Sequence, residues 1–266
     1  MTVLSGPAPS SRPEPVELSV VIPAHNSARV IESTVEAFAD YLSCRTAEII
    51  VVQNGSTDST ADICRRLEAE WSHSSVSLLV LTSDRGMGNA LRLGVARSRG
   101  DRVLLTADDL PFGFDDLDGA AQLTSETGTT PLVVVGSKAH PKSSVERGVL
   151  RAVMTFGFAS LRSIVLGTNT RDPQGTFIVD GTLLRALAPQ LIEPGFLFTT
   201  ELDYAVELAG VRPVELPVSL SESHRSEPSR VAFGDVVNMA RGLLSLRRRR
   251  QTLRAAAQAG RQAVDV

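Results

Sequence analysis

The stretch DRVLLTADDLP (101–111) ends an apolar run on two adjacent carboxylates, Asp108 and Asp109, followed by a proline. Neighbouring negative charges repel one another and give nothing to a core, so they require a partner: a cation, or the hydrogen-bond donors of a turn. Three further apolar runs end in a comparable way, on PAHN (23–26), QNGSTDST (53–60) and SDRGMGNA (83–90), each polar and rich in small residues. Such a row suits a nucleotide, because Asn and Gln side chains read base and ribose edges while glycines let backbone N–H groups approach phosphate. Any one of them is also an ordinary strand-to-helix turn, with Ser56, Thr57 or Asp58 as its N-cap; four in succession favour the ligand. No G-x-G-x-x-G follows the first run and no G-x-x-x-x-G-K-[ST] occurs, which removes the dinucleotide-fold and P-loop readings.

The elements that must carry these loops alternate. β-Branched runs predict strands over 17–23, 47–53, 76–82 and 101–107, and helical spacing predicts helices over 27–42, 56–71 and 88–100 between them. In the first helix Val30, Thr34, Val35, Phe38 and Leu42 fall on one face. Strands that are apolar on both faces and separated by helices make a parallel sheet covered on both sides, so the first half is an α/β architecture of nucleotide-binding type. Further on, PLVVVG (131–136) reads as a fifth strand and 143–166 as helical but interrupted by glycines. QGTFIVDG (174–181) reads as another strand, followed by helices over 182–191 and 199–210 and an extended stretch, 211–218, whose prolines place it at an edge.

Composition narrows the function classes. A net charge of -3 with 42% hydrophobic residues describes a globular chain and excludes a general nucleic-acid binder, which carries a strongly basic domain. Any anionic ligand must meet local positive charge. Cys44 and Cys64 are the only cysteines and form no CxxC pair, which fits free thiols in a reducing compartment. The four histidines are scattered without ligand spacing. No stretch reaches the roughly 18–20 apolar residues of a membrane span.

The motifs carry a resemblance. LSVVIPAHN, EIIVVQNGSTDST and RGMGNALRLGVARSRGDRVLLTADDLP resemble, in order, the nucleotide-sugar half of the family 2 inverting glycosyltransferases. GSK (136–138), DPQGTF (172–177), FTTELDYAVELAG (198–210) and VELPV (214–218) resemble the dolichyl-phosphate mannosyl- and glucosyltransferase branch, and the likeness spans about 17–230. The resemblance implies a GT-A fold: α/β, with a mostly parallel central sheet flanked by helices, in a single domain. It implies that Pro23, Ala24, His25 and Asn26 border the nucleobase and ribose, with Gln53 and Asn54 near the base, where the family more often has acidic residues. Arg85, Gly86 and Gly88 would approach the phosphates of a nucleotide diphosphate sugar. The family's Asp-Ala-Asp metal motif falls, without gaps, on Ala107, Asp108 and Asp109, so the first ligand position is alanine. Residues two apart share a face of a strand, which pairs Asp109 with Ala107 and Asp108 with Thr106. If the chain turns at Leu110 and Pro111, Asp109 alone could hold Mg²⁺ or Mn²⁺, whose octahedron phosphates and waters would complete, and Asp108 would support sugar or ribose. Two alternatives stand beside this: both aspartates cap the following turn, or Arg85 and other cations neutralise the donor with reduced dependence on metal.

On the acceptor side, Lys138 follows the fifth strand, and Arg147 and Arg151, four apart, share a helical face. Such a pair can hold a phosphate by charge-assisted bonds, or simply make surface salt bridges. The branch resembled uses this region for an acceptor phosphate, which implies a polyprenyl phosphate acceptor. A phosphate monoester is already ionised at neutral pH and can attack the anomeric carbon without a strong base. A hydroxyl acceptor would need one, and Asp172, Glu201 and Asp203 are the candidates. Gln174 would position the reacting groups. The expected reaction is hexose transfer with inversion; the alternatives are a soluble hydroxyl acceptor, or a protein that binds nucleotide sugars without turnover.

Residues 1–16 read as a disordered arm, and 231–266 as a tail whose segment 231–257 forms one amphipathic helix containing SLRRRRQTLR. A basic amphipathic helix can lie on an anionic membrane or pack one stripe and stay solvated. The expected location is cytoplasmic, at the inner face of the membrane where the lipid acceptor would be met.

Overall fold

In the computed structural model, which describes residues 15–143, 159–220 and 233–264, seven strands form one sheet. They are β1 (Leu18–Ala24), β2 (Ala47–Asn54), β3 (Val76–Ser83), β4 (Arg102–Leu105), β5 (Val133–Ser137), β6 (Thr176–Asp180) and β7 (Val214–Pro217), in the order β3-β2-β1-β4-β6-β5-β7. β1 pairs in parallel with β2 and β4, β2 with β3, and β5 with β7, whereas β6 runs antiparallel to both of its neighbours. The start of β6 therefore lies at the same edge of the sheet as the carboxyl ends of the other six strands. All seven residues of β1 are buried, as the unbroken apolar run requires for a strand covered on both faces.

Alternation along β1 divides the core. Val20 and Ile22 join one apolar cluster with Ile31, Val35 and Phe38 of α1 (Ile31–Tyr41), Cys64 and Leu67 of α2 (Thr60–Glu70) and Leu117 of α4 (Asp115–Thr127). Val21 joins the other with residues of α3 (Met87–Arg97), α6 (Gly181–Leu187), α7 (Phe198–Leu208), α8 (Phe233–Arg248) and α9 (Arg250–Val264). Residues 159–166 are helical and form α5. Gly94 brings α3 against the sheet: a Cβ there would lie 2.3 Å from Val21 Cγ1. The free edge of β3 is not bare, since Glu68 Oε1 accepts the Val80 N–H at 2.8 Å.

Four differences from the sequence reading have physical causes. β4 stops at Leu105 instead of reaching Ala107, because a turn begins at Asp108. β6 is antiparallel, a direction that periodicity does not encode. α4 was not expected, since Leu117 is its one fully buried apolar residue and its first turn holds Asp115, Asp116 and Asp118. The tail is two helices that meet at Arg249; Leu243, Leu246, Leu253 and Ala257 are completely buried, which makes these helices part of the main core. Of the expected arm, 1–14 lies outside the described residues, and Val16 is buried with its carbonyl accepting from Asp101 N–H at 2.9 Å.

Candidate active site

The chain leaves β1 towards β2 and β3 on one side and finds β4 on the other, so the loops after β1 and β4 diverge around a crevice where ligands bind in open α/β sheets. Around this crevice the first three loops are tied by side chains. Asn54, 3% exposed, donates from Nδ2 to the Ala24 carbonyl at 3.0 Å and accepts Gly86 N–H on Oδ1 at 3.1 Å. One side chain thus joins the ends of β1, β2 and β3. The Asn54 carbonyl lies 2.8 Å from His25 Nδ1; a carbonyl only accepts, so Nδ1 is the donor in this contact. Asn26, at φ 54°, accepts Thr57 N–H at 2.8 Å, and Gln53 Oε1 accepts Ser56 N–H at 3.1 Å. Pro23 and Ala24 are buried strand residues. Arg85 is exposed and lies over the β2 turn, its Cβ 3.0 Å from where a Cβ on Gly55 would stand.

Gly86 and Gly88 have a packing duty. Gly86 takes φ 129°, and a Cβ on Gly88 would lie 2.0 Å from the Glu193 carbonyl oxygen. The Gly88 N–H donates to the Pro194 carbonyl at 2.9 Å, and Asn89 N–H does so at 3.3 Å. These two amides at the start of α3 are engaged by the 191–196 loop.

Asp108 and Asp109 separate. Asp108 is 6% exposed and its carboxylate accepts the Ser27 hydroxyl, while its carbonyl accepts Thr34 Oγ1 at 2.9 Å. Ser27 N–H in turn donates to Thr60 Oγ1 at 2.7 Å. Asp108 therefore stitches the β4 exit to the PAHN turn. Asp109 is partly exposed, next to Leu110 at φ 47°. Because the strand has already ended, the alternation that would pair Asp109 with Ala107 no longer applies. Among the described residues no three His, Cys, Asp or Glu side chains form a metal cage; a cation completed by phosphates and water needs one or two carboxylates, and this turn carries Asp108 and Asp109.

The edge formed by the β5 exit and the approach to β6 is organised by carboxylates. Asp172 accepts Lys138 N–H at 2.8 Å on one oxygen and Gln174 N–H at 3.2 Å on the other. The Lys138 ammonium donates to the Gln174 carbonyl at 3.2 Å, stands 4.0 Å from Asp172 and lies 5.6 Å from the centre of the Phe112 ring. Lys138, Asp172 and Gln174 are thus brought together, and Phe112 lies between them and the β4 turn. Arg147 and Arg151 lie outside the described residues. Behind this edge, Glu215 Oε1 accepts from Ser137 Oγ and from the Arg171 and Asp172 amides. Glu207 accepts the Asn169 and Thr170 amides. Sequence reasoning missed Ser27, Glu207 and Glu215; VELP, part of the family likeness, held the last of them without marking its partners.

The other two carboxyls considered as bases are buried. Asp203 is wholly enclosed, 3.6 Å from Arg162 Nη1, and burial pushes its carboxyl up to about 7 against the opposing effects of Thr170 and Arg162. Glu201 is equally enclosed and paired with Arg249 Nη1 at 2.5 Å, and burial raises it as well.

A family model described as "Glycosyl transferase family 2" matches residues 19–179. The chain belongs to that family. Among similar proteins of this glycosyltransferase, the "Dolichyl-phosphate beta-glucosyltransferase" of Mus musculus is 28% identical over 247 residues, covering 88% of this chain and 75% of that protein. Its namesake in Saccharomyces cerevisiae is 26% identical over 254 residues with the same coverage. Glucosyl-3-phosphoglycerate synthase from Mycobacterium tuberculosis, solved with Mn²⁺, uridine diphosphate and phosphoglyceric acid, superposes with a TM-score of 0.59 at 19% identity, covering 88% of this chain and 78% of that one. That likeness shows the shared GT-A fold.

Proposed function

We propose that this glycosyltransferase moves a hexose from a nucleotide diphosphate sugar to a polyprenyl phosphate with inversion at the anomeric carbon. The observation that carries the acceptor class is the disposition of the carboxyls. Asp172 has both oxygens on backbone amides, and Asp203 and Glu201 are enclosed. Asp203 and Glu201 are closed off from a hydroxyl and Asp172 already spends a lone pair of each oxygen on an amide, whereas Lys138 brings a cation to the edge. A phosphate oxygen, already ionised, needs only such a cation and a line of attack. Its lone pair forms the new bond to the anomeric carbon from the face opposite the donor. The bond between that carbon and the diphosphate oxygen breaks, and the leaving nucleotide diphosphate carries away the electron pair. The relatives' printed names support the lipid phosphate, and uridine diphosphate in the fold neighbour supports a UDP-sugar.

Asp109 would hold Mg²⁺ or Mn²⁺, which when bound supplies positive charge to the departing diphosphate. His25, Asn26 and Gln53 would meet the nucleoside from the crevice floor, and Arg85 would face the diphosphate. Asn54, Gly86, Gly88 and Asp108 would act by shaping the floor, since their polar groups are joined to neighbouring loops. Gln174, whose carbonyl receives Lys138, would orient the acceptor phosphate together with Arg147 and Arg151.

No described helix is long and apolar enough to cross a membrane. We infer surface contact instead. α5 is inverted: Arg162 is 3% exposed while Leu161 is 39% and Ile164 78% exposed. Residues 241–264 hold seven arginines and no acidic residue. A groove of about 260 Å³ lined by Ile164, Tyr204, Arg247 and Arg250 joins the two surfaces. Outward aliphatics beside cations suit an anionic lipid face. Incubation with UDP- and GDP-sugars, Mn²⁺ and a short polyprenyl phosphate tests the reading; a lipid-linked sugar is expected, and its absence with every donor, alongside turnover on a hydroxyl acceptor, would overturn it.

A further inference from the structure

Glu215 bonds to Ser137 and to two backbone amides rather than to the Lys138 ammonium, and so gathers both segments of the acceptor edge on one oxygen. Oε1 accepts Ser137 Oγ at 2.8 Å, Arg171 N–H at 3.1 Å and Asp172 N–H at 3.2 Å. Ser137 is the last residue of β5 and fully buried, and the next residue is Lys138. Arg171 and Asp172 open the approach to β6, whose neighbour Gln174 supplies the carbonyl for the Lys138 ammonium. β5 and β6 are paired only up to Gly136 and Thr176; beyond that point the ladder no longer fixes the two segments to each other. β7 pairs with β5 on its other side, Glu215 opposite Val135, so the carboxylate reaches along the strands to the place where the ladder gives out. Charge-assisted bonds to amides are the strong ones, and a single anion shared by three donors fixes their spacing.

We propose that Glu215 is the positioning residue of the acceptor half of the site: it joins the β5 exit to the β6 approach so that Lys138 and the Asp172–Gln174 turn meet a phosphorylated acceptor as one unit. This rests on the acceptor phosphate reading above. Because the unit would hold the acceptor equally before and during the reaction, its loss acts on acceptor KM and leaves kcat.

Two measurements test it on the full chain: steady-state kinetics with a short polyprenyl phosphate, and hydrogen exchange of the 137–138 and 171–175 amides. Glu215→Ala is expected to raise acceptor KM about tenfold with kcat within about threefold, to leave the calorimetric affinity for UDP unchanged and to speed exchange of the 171–175 amides. Glu215→Gln keeps an accepting oxygen and is expected to restore both readouts most of the way. Should the alanine variant fail to fold, Ser137→Ala removes one bond and is expected to move KM and exchange in the same direction. Unchanged exchange, or faster exchange with unchanged acceptor KM, overturns the proposal. A wild-type enzyme that transfers to no phosphorylated acceptor refutes the acceptor reading, and with it the role of the clamp, while the exchange data would still report whether the clamp itself exists.

Discussion

The two halves of the crevice are built from different chemistry. On the donor half, neutral amides and two aspartates tie loop to loop: Asn54 bridges Ala24 and Gly86, Asn26 accepts from Thr57, Asp58 accepts the Ala28 N–H, and Asp108 accepts from Ser27. On the acceptor half, carboxylates hold backbone amides: Glu215, Glu207 and Asp172 collect the N–H groups of Lys138 and of residues 169–174. The donor loops thus mix neutral amides with engaged carboxylates, Asp58 and Asp108 both accepting from hydroxyls. The acceptor edge spends its carboxylates on amides and holds the Lys138 ammonium on the Gln174 carbonyl. The contrast teaches that the donor loops hold one another, while the amides of the acceptor edge depend on carboxylates far away in sequence.

The largest expected break falls on the donor side. Asp109→Asn is expected to lower turnover about a hundredfold and to remove the Mn²⁺ dependence of UDP binding in calorimetry; EDTA should reproduce the second effect with the unmodified chain. Next, Gly88→Ala drives a methyl into the Glu193 carbonyl and is expected to cost about 3 kcal/mol of stability in urea unfolding. Asn54→Ala leaves the Gly86 amide without its acceptor and should cost about 2 kcal/mol in the same assay. On the acceptor side the expected signature is a pH slope. Folded Asp203 keeps its proton up to about 7, and the unfolded chain only to about 4. The folded state therefore binds more protons between those limits, and stability falls as pH rises through them, then levels off. Asp203→Asn should flatten that stretch of the stability curve; an unaltered slope would count against the assignment. The smallest effect is expected of Ala107→Asp: with the strand ended at Leu105 the new carboxylate is not aligned with Asp109, so Mn²⁺ affinity in calorimetry should move by less than about twofold.

Legibility followed the same division. Donor loops were readable because each stands at the end of its own apolar run, within a few residues of sequence, and the strand and helix beside it are local patterns. The family likeness carried the GT-A fold for the same reason. What holds the acceptor edge was not readable, since Glu207 and Glu215 lie 35 or more positions from the amides they bind, and no periodicity links them. The expectation for Asn54 as a base-reading group met a similar obstacle: its amide is spent on two loops distant in sequence. The single tail helix became two because its bend lets Leu253 and Ala257 reach the core, a tertiary requirement with no Gly or Pro to announce it.

The arginine run at 247–250 is two things written in one letter. Arg248 and Arg250 face solvent and can drift in number or identity with little consequence for folding. Arg249 is the counter-ion of an enclosed glutamate and a donor to the Gln190 carbonyl. A chain that traded its whole cationic cluster for neutral residues would lose a keystone along with its surface charge, so the charge of this face can evolve only around that one fixed position.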